Sequence, residues 1–233
     1  MIYLCIGRRE LGKTTLAYYM ARKLDKRAII DARRMVRQGH IRIEYAHSAN
    51  DADESLFAMV DDNECDEVIY QPHEDDLQQG FDVWTGTLKR IVIDHPQQHL
   101  AVLVDEASFY NLDTPTFQWL AKCALRDYVH IIITAHQPKD IPTSIRAIAD
   151  HWFIFRTTQK TDLDKIAEKS PEAAREAERL TDRSFVWWDD TRAVVSFNRK
   201  PASWFIALQA RQPSSVQVTP DAERAKTLFD NEV

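Results

Sequence analysis

The feature that most constrains this chain is the run Gly7, Arg8, Arg9, Glu10, Leu11, Gly12, Lys13 and Thr14, which fits the pattern G-x-x-x-x-G-K-[ST]. The chemistry dictates the spacing. A loop that wraps a phosphate with its own backbone N–H groups needs glycine where the chain turns tightly or comes close to the ligand. Gly12 leads into a helix, whose N-terminus adds partial positive charge. Lys13 is placed to reach the β- and γ-phosphates of ATP, Thr14 to bind Mg²⁺ and Thr15 to support the α-phosphate. An apolar run, residues 2–6, precedes the loop. Leu16, Ala17, Met20, Ala21 and Leu24 follow it at helical spacing. Strand, loop and helix form the context this motif requires.

Downstream, short β-branched runs alternate with helical stretches, the pattern of a parallel sheet covered by helices. Residues 28–30, 68–70, 100–104, 130–134 and 151–155 read as strands, and residues 83–93 as a helix. Thr114-Pro115 and Ser170-Pro171 each supply an N-cap followed by a proline suited to the first helical position. After the first pair, Phe117, Leu120, Ala121 and Ala124 make a buried stripe. Residues 185–188 and 193–197, parted by Asp189-Asp190, predict a β-hairpin at the sheet's edge. The expected fold is α/β: a P-loop NTPase (RecA/ASCE-like) three-layer sandwich with a mainly parallel central sheet and a C-terminal β-hairpin. One domain is expected over residues 1–212, with a polar tail over 213–233. Residues 33–66 give no clear pattern.

Two further strand ends carry chemistry. Residues 100–104 run into Asp105 and Glu106. A carboxylate ending a buried strand beside a phosphate loop suits Asp105 to the Mg²⁺ shell, and the next acid suits Glu106 to polarising the attacking water. Residues 130–134 run into Ala135, His136, Gln137 and Pro138. Polar groups at the carboxyl edge of such a sheet face the γ-phosphate or its water, so either His136 or Gln137 fits a γ-phosphate sensor.

Composition sets limits. The net charge is −6 and the sequence pI near 5.8, which argues against a protein that coats nucleic acid electrostatically. It leaves room for a ring that grips DNA with a few basic groups, because counterion release depends on the charges near the phosphates. No apolar run is long enough to span a bilayer. Met1 leads straight into a strand-like run without a signal-type segment. Three cysteines, Cys5, Cys65 and Cys123, lie far apart with no metal-ligand spacing. These features predict a soluble, intracellular protein.

Together, the loop at Gly7, the Asp105-Glu106 pair and the run from Ile133 through Pro138 make the chain resemble the FtsK/HerA superfamily of DNA-pumping ATPases. Residues 140–146 and 153–156 are similar to that family too, and the likeness covers roughly residues 1–157. Within it, the small size looks most like the genome-packaging ATPases of membrane-containing, double-jelly-roll viruses. The resemblance implies a strand inserted between the two Walker strands, assembly into a homo-oligomeric hexameric ring, and movement of double-stranded DNA. The family commonly has Gln two residues before the proline, where this chain has His136, and Gln137 comes one step late.

A ring-forming ATPase needs a cation that completes the neighbouring subunit's site. Arg126, before the sensor strand, is the preferred position, with Arg146 and Arg156 as rivals. Arg33, Arg34, Arg37, Arg42 and His40 form the densest basic stretch, facing either DNA or solvent. Phe185, Trp187 and Trp188 fit core or subunit interface better than base stacking. The expected function is an ATP-hydrolysing DNA translocase, the genome-packaging motor of a virus or phage. Capsid or portal-vertex proteins would be its partners, and host cytoplasm and virion its places of work. Rival readings are a cellular HerA-like DNA-processing ATPase, a small-molecule or nucleotide kinase, and a nucleotide-dependent assembly factor.

Overall fold

Apolar runs with every residue buried dictate strands covered on both faces, and the sheet is built from them. The computed structural model describes residues 1–34, 43–123, 128–181, 184–189 and 192–197. Arg37, His40, Arg42, Ala124, Arg126 and the proposed tail lie outside the described residues. The described strands are β1 (Ile2–Ile6), β2 (Lys26–Asp31), β3 (Ile43–Ala46), β4 (Glu67–Tyr70), β5 (Leu100–Asp105), β6 (Val129–Ala135), β7 (His151–Phe155), β8 (Phe185–Asp189) and β9 (Arg192–Phe197). They form one sheet in the order β3-β4-β2-β5-β6-β1-β7-β8-β9. Pairing is parallel from β3 through β7 and antiparallel where β7, β8 and β9 meet. The fold is the expected α/β sandwich with its terminal hairpin. β6 lies between β1 and β5, the inserted strand that the family resemblance implies.

Strand alternation sorts the core into two layers. Tyr3, Cys5, Ile29, Leu103 and Ile132 face α1 (Lys13–Ala21), which buries Leu16, Ala17 and Met20 against them. Leu4, Ile30, Val102 and Ile133 face the opposite way. There they meet α2 (Ala49–Phe57), α3 (Leu77–Asp94), α4 (Pro115–Cys123), α5 (Thr143–Ile148), α6 (Lys160–Ala167) and α7 (Pro171–Arg179) through Leu56, Trp84, Phe117, Ile145, Ile166 and Ala177. By the same parity, Asp31, Asp105 and Thr134 stand on the α1 side at the carboxyl ends of their strands. No helix among the described residues is long and apolar enough to cross a membrane.

The predicted caps form: the Thr114 hydroxyl accepts from the Phe117 amide at 3.4 Å and Ser170 from Ala173 at 3.1 Å. Four elements differ from expectation. α3 begins at Leu77, well before residue 83, because Gln78, Gln79 and Gly80 interrupt its apolar stripe; Gly80 lies against the Tyr70 ring and hydroxyl. The unassigned stretch after residue 42 holds the edge strand β3 and α2, which a capping box of Ser48 and Asp51 starts. α6 anchors through Leu163, Ile166 and Ala167 at its C-terminal end, too few to read as a stripe.

Phe81 in α3 is fully buried, with ring centroids 4.9 Å from Tyr110 and 5.4 Å from Phe117. Phe81→Ala is expected to destabilise the chain by about 3–5 kcal/mol, measured by denaturant unfolding.

Candidate nucleotide site

The phosphate loop joins β1 to α1 at the carboxyl edge of the sheet. Gly7 has φ of 149°, and a Cβ there would stand 2.6 Å from the Phe155 Cβ on β7, so only glycine fits this approach. Gly12, at φ 98°, turns the chain into α1 as its N-cap. Arg8 reaches Thr158 at 2.5 Å; Arg9 and Glu10 are exposed, and Leu11 packs on the α1-side core. Lys13 is buried and folds back over the loop, its Nζ donating to the Arg8 carbonyl at 2.9 Å. Thr15 is exposed on the first turn of α1.

The loop and the β5 end meet through direct hydrogen bonds. Thr14 donates to Asp105 Oδ1 at 2.9 Å, and Thr134 donates to the same oxygen at 2.7 Å. The Thr134 hydroxyl also accepts from the Glu106 amide at 2.8 Å. Glu106 adopts a left-handed backbone, φ 63° and ψ 71°. That turn brings its carboxylate beside Asp105, where strand alternation alone would send it to the other face. Its Oε2 lies 3.0 Å from His136 Nε2 and 3.5 Å from Arg33, while Ser108 donates to Oε1 at 3.1 Å.

His136 bridges Lys13 and Glu106. Lys13 Nζ is 3.2 Å from His136 Nδ1. An ammonium can only donate, so Nδ1 accepts. Burial, and then the Lys13 charge, lower the imidazole pKa, which favours the neutral ring. Its one proton then sits on Nε2, facing Glu106. In this tautomer Nε2 cannot accept from Arg9, whose Nε lies 3.2 Å away, so that contact is charge proximity and not a hydrogen bond. Gln137 turns away: its side chain donates to Gln159 at 2.7 Å and its amide is capped by Asp140 at 2.9 Å.

The donor set fits Mg²⁺. Asp105 and Thr14 offer hard oxygens side by side, and Asp31, in register with Asp105 on β2, adds a second fully buried carboxylate. Magnesium is typically held by one or two protein oxygens plus phosphate and water. Among the described residues no cluster of three or more His, Cys, Asp or Glu forms a metal cage. Burial raises the Asp105 pKa to about 6 against the pull of Thr134 and Thr14, with Asp31 and Glu106 adding to the rise. Burial likewise lowers the Lys13 pKa, while Glu106 and Asp105 oppose that shift. A divalent cation beside Asp105 would favour its ionised form.

The other sequence candidates fall elsewhere. Arg146 is buried and donates to Thr143 of its own helix at 2.8 Å; Arg156 is exposed. Phe185 and Trp187 pack on Phe153, with Trp187 parallel to it to within 5°, so these aromatics are core. Sequence reading missed Asp31, Ser108 and the direct role of Thr134. Asp31 carried a signal, since residues 28–30 are an apolar run ending in an acid, as residues 100–104 are.

No protein-family model matches the sequence, and no curated protein matches it. Solved structures do. The genome-packaging NTPase B204 from Sulfolobus turreted icosahedral virus 2, in complex with ATP-gammaS, matches with a TM-score of 0.66 at 18% identity, over 85% of this chain and 97% of that one. The bacterial conjugative coupling protein TrwBdeltaN70 matches with a TM-score of 0.60 at 10% identity, over 83% of each chain. The pCW3 conjugation coupling protein TcpA, with ATPgS, matches with a TM-score of 0.51 at 12% identity, over 89% of this chain and 64% of that one. The resemblance read in the sequence is thus borne out at the level of fold: this is the fold of P-loop ATPases.

Asp105 also makes stability depend on pH. Its folded pKa lies above its ordinary value of 3.8, so the folded chain prefers the protonated acid. That contribution is fully present below about pH 4 and is lost as pH rises through about 6. Without nucleotide or metal, Asp105→Asn is expected to be more stable than the wild type above that range, by on the order of 2–3 kcal/mol, and equal to it near pH 4. Denaturant unfolding at the two pH values checks this.

Proposed function

We propose that the chain is an ATPase that hydrolyses ATP at this site and uses the cycle to move double-stranded DNA, as the genome-packaging motor of a virus or phage. The observation that carries the reading is the set of bonds joining Thr14, Asp105, Thr134 and Glu106. It couples a phosphate loop to a metal-type acid and a base-type acid in one buried cluster.

The backbone N–H groups of residues 7–15 cradle the phosphates, and Lys13 leaves the Arg8 carbonyl to neutralise the β- and γ-phosphates. Thr14 and Asp105 would hold Mg²⁺, which would screen phosphate charge. Glu106 orients the attacking water and accepts its proton. His136, already joining Lys13 to Glu106, is the better-placed γ-phosphate reader, since Gln137 is engaged with Gln159. A kinase would instead present an acceptor hydroxyl to the γ-phosphate; here the group beside the loop is a carboxylate suited to water.

Support for a DNA motor is the shared fold with the packaging NTPase and the two coupling proteins, together with the inserted strand β6. A hexameric ring follows from the same reading, with an arginine (Arg126 or Arg156) completing the neighbour's site. Capsid or portal-vertex proteins would dock the ring, in the host cytoplasm and on the virion. The cellular HerA-like alternative differs in its partners and not in its site.

ATP turnover with and without duplex DNA, alongside sedimentation, tests the reading. Glu106→Gln is expected to bind ATP normally and to lose at least about a hundredfold in kcat. Wild-type turnover in that variant would remove Glu106 from its role. A monomer that phosphorylates a small acceptor and ignores DNA would overturn the motor.

A further inference from the structure

Residues 156–159 join β7 to α6 and run beside the phosphate loop, because Gly7 lies against Phe155, the last residue of β7. Two consecutive side chains of this connection reach across to the nucleotide site. Thr158 accepts from Arg8 Nη2 at 2.5 Å, and Gln159 Oε1 accepts from Gln137 Nε2 at 2.7 Å. Each grips a different loop. Arg8 belongs to the phosphate loop, and Gln137 follows His136 just beyond the end of β6.

Both grips bear on Lys13. Its Nζ donates to the Arg8 carbonyl at 2.9 Å and lies 3.2 Å from His136 Nδ1, so the residues that hold the ammonium are Arg8 and the neighbour of Gln137. Gln159 has a second contact, through its main chain. It is the N-cap of α6, and its carbonyl accepts from the amides of Asp162 and Leu163 at 3.1 and 3.0 Å. Asp162, buried on that first turn, is within electrostatic reach of Lys139 and Asp140, and Asp140 accepts from the Gln137 amide at 2.9 Å. The start of α6 is thus joined to the His136 loop by side chain and by charge. Arg8, Thr158 and Gln159 are exposed, and hydrogen bonds between exposed groups exchange with water at little net cost. The grips can therefore open and close as their load changes.

We infer that Thr158 and Gln159 form a clamp that positions Arg8 and His136 around Lys13 and passes the occupancy of the phosphate loop to α6. A nucleotide phosphate draws the ammonium from the Arg8 carbonyl and from His136 Nδ1, because an anion is the stronger acceptor. Arg8 and the His136-Gln137 pair then shift, and Gln159 carries that shift into the first turn of α6. Thr158 and Gln159 act through Arg8 and Gln137 and are positioning residues. The inference rests on the ATPase reading of the site, and its test separates the failure of one from the failure of the other.

Two measurements suffice. The first is backbone hydrogen exchange with and without ATPγS, which needs no turnover. In the wild type, exchange is expected to slow at residues 8–15 and to change about threefold or more at residues 160–167. In the Thr158→Val/Gln159→Ala double variant the loop is expected to respond and α6 is not. A loop that responds while wild-type α6 does not overturns the clamp and leaves the nucleotide site standing. A loop that does not respond removes the nucleotide reading and the clamp with it. The second is steady-state ATP turnover. The double variant is expected to lose about three- to tenfold in kcat with KM no higher than the wild type, because His136 loses its orientation while Lys13 loses its competing holders. Thr158→Ser, which keeps the hydroxyl, is expected to turn over as the wild type does. A raised KM with unchanged kcat, or no change in either, overturns the positioning role. Thermal unfolding of each variant separates these effects from misfolding.

Discussion

The hydrogen bonds that Thr14 and Thr134 give to one oxygen of Asp105 tie together α1, β5 and β6 at the edge where nucleotide chemistry is set. The acid is buried, and burial would by itself make it a poor anion. Two hydroxyls hold it in place and pull against that effect. Thr134 does further work through its acceptor lone pair, which takes the amide of Glu106. One hydroxyl thus fixes Asp105 and the backbone turn of Glu106 together. A shift of β6 would move both.

Much of this architecture was legible in the sequence because buried parallel strands advertise themselves. β1 and β7 run over the residues their apolar patterns predict, and β5 and β6 exceed theirs by a residue or two. The phosphate loop is equally readable, since its glycines are required by backbone geometry and its lysine and threonine by chemistry. What stayed hidden has a physical cause in each case. β3 is a short edge strand, and α2 is announced by a capping box, not by a stripe. α3 hides its first turn behind two glutamines and a glycine. Asp31 ends an apolar run as Asp105 does, but its register beside Asp105, like the approach of Arg33 to Glu106, is a contact between strand ends that local pattern does not record. The choice between His136 and Gln137 also needed geometry, because it turns on which side chain a loop rotates towards Lys13.

The sheet has unlike faces. Among the described residues one helix, α1, covers the side that carries Asp31, Asp105 and Thr134, while six helices cover the other. The crowded face supplies most of the apolar burial and so most of the driving force for folding. The sparse face is where polar and charged groups stand at strand ends near solvent. Stability and chemistry are therefore largely separated by strand parity. Residues of one parity can be tuned for packing while their neighbours hold the site.

At position 106 the separation becomes finer still. The left-handed turn costs about 1 kcal/mol or more for a residue with a side chain, and it is held by the amide bond to Thr134, not by the carboxyl group. The aim of the side chain and the reactivity of its tip thus have different owners: the main chain sets the first, and the acid supplies only the second. An uncharged isostere would inherit the aim without the reactivity. Such a protein would be a faithful, silent copy of the native site, able to hold its ligand in place and unable to let it react.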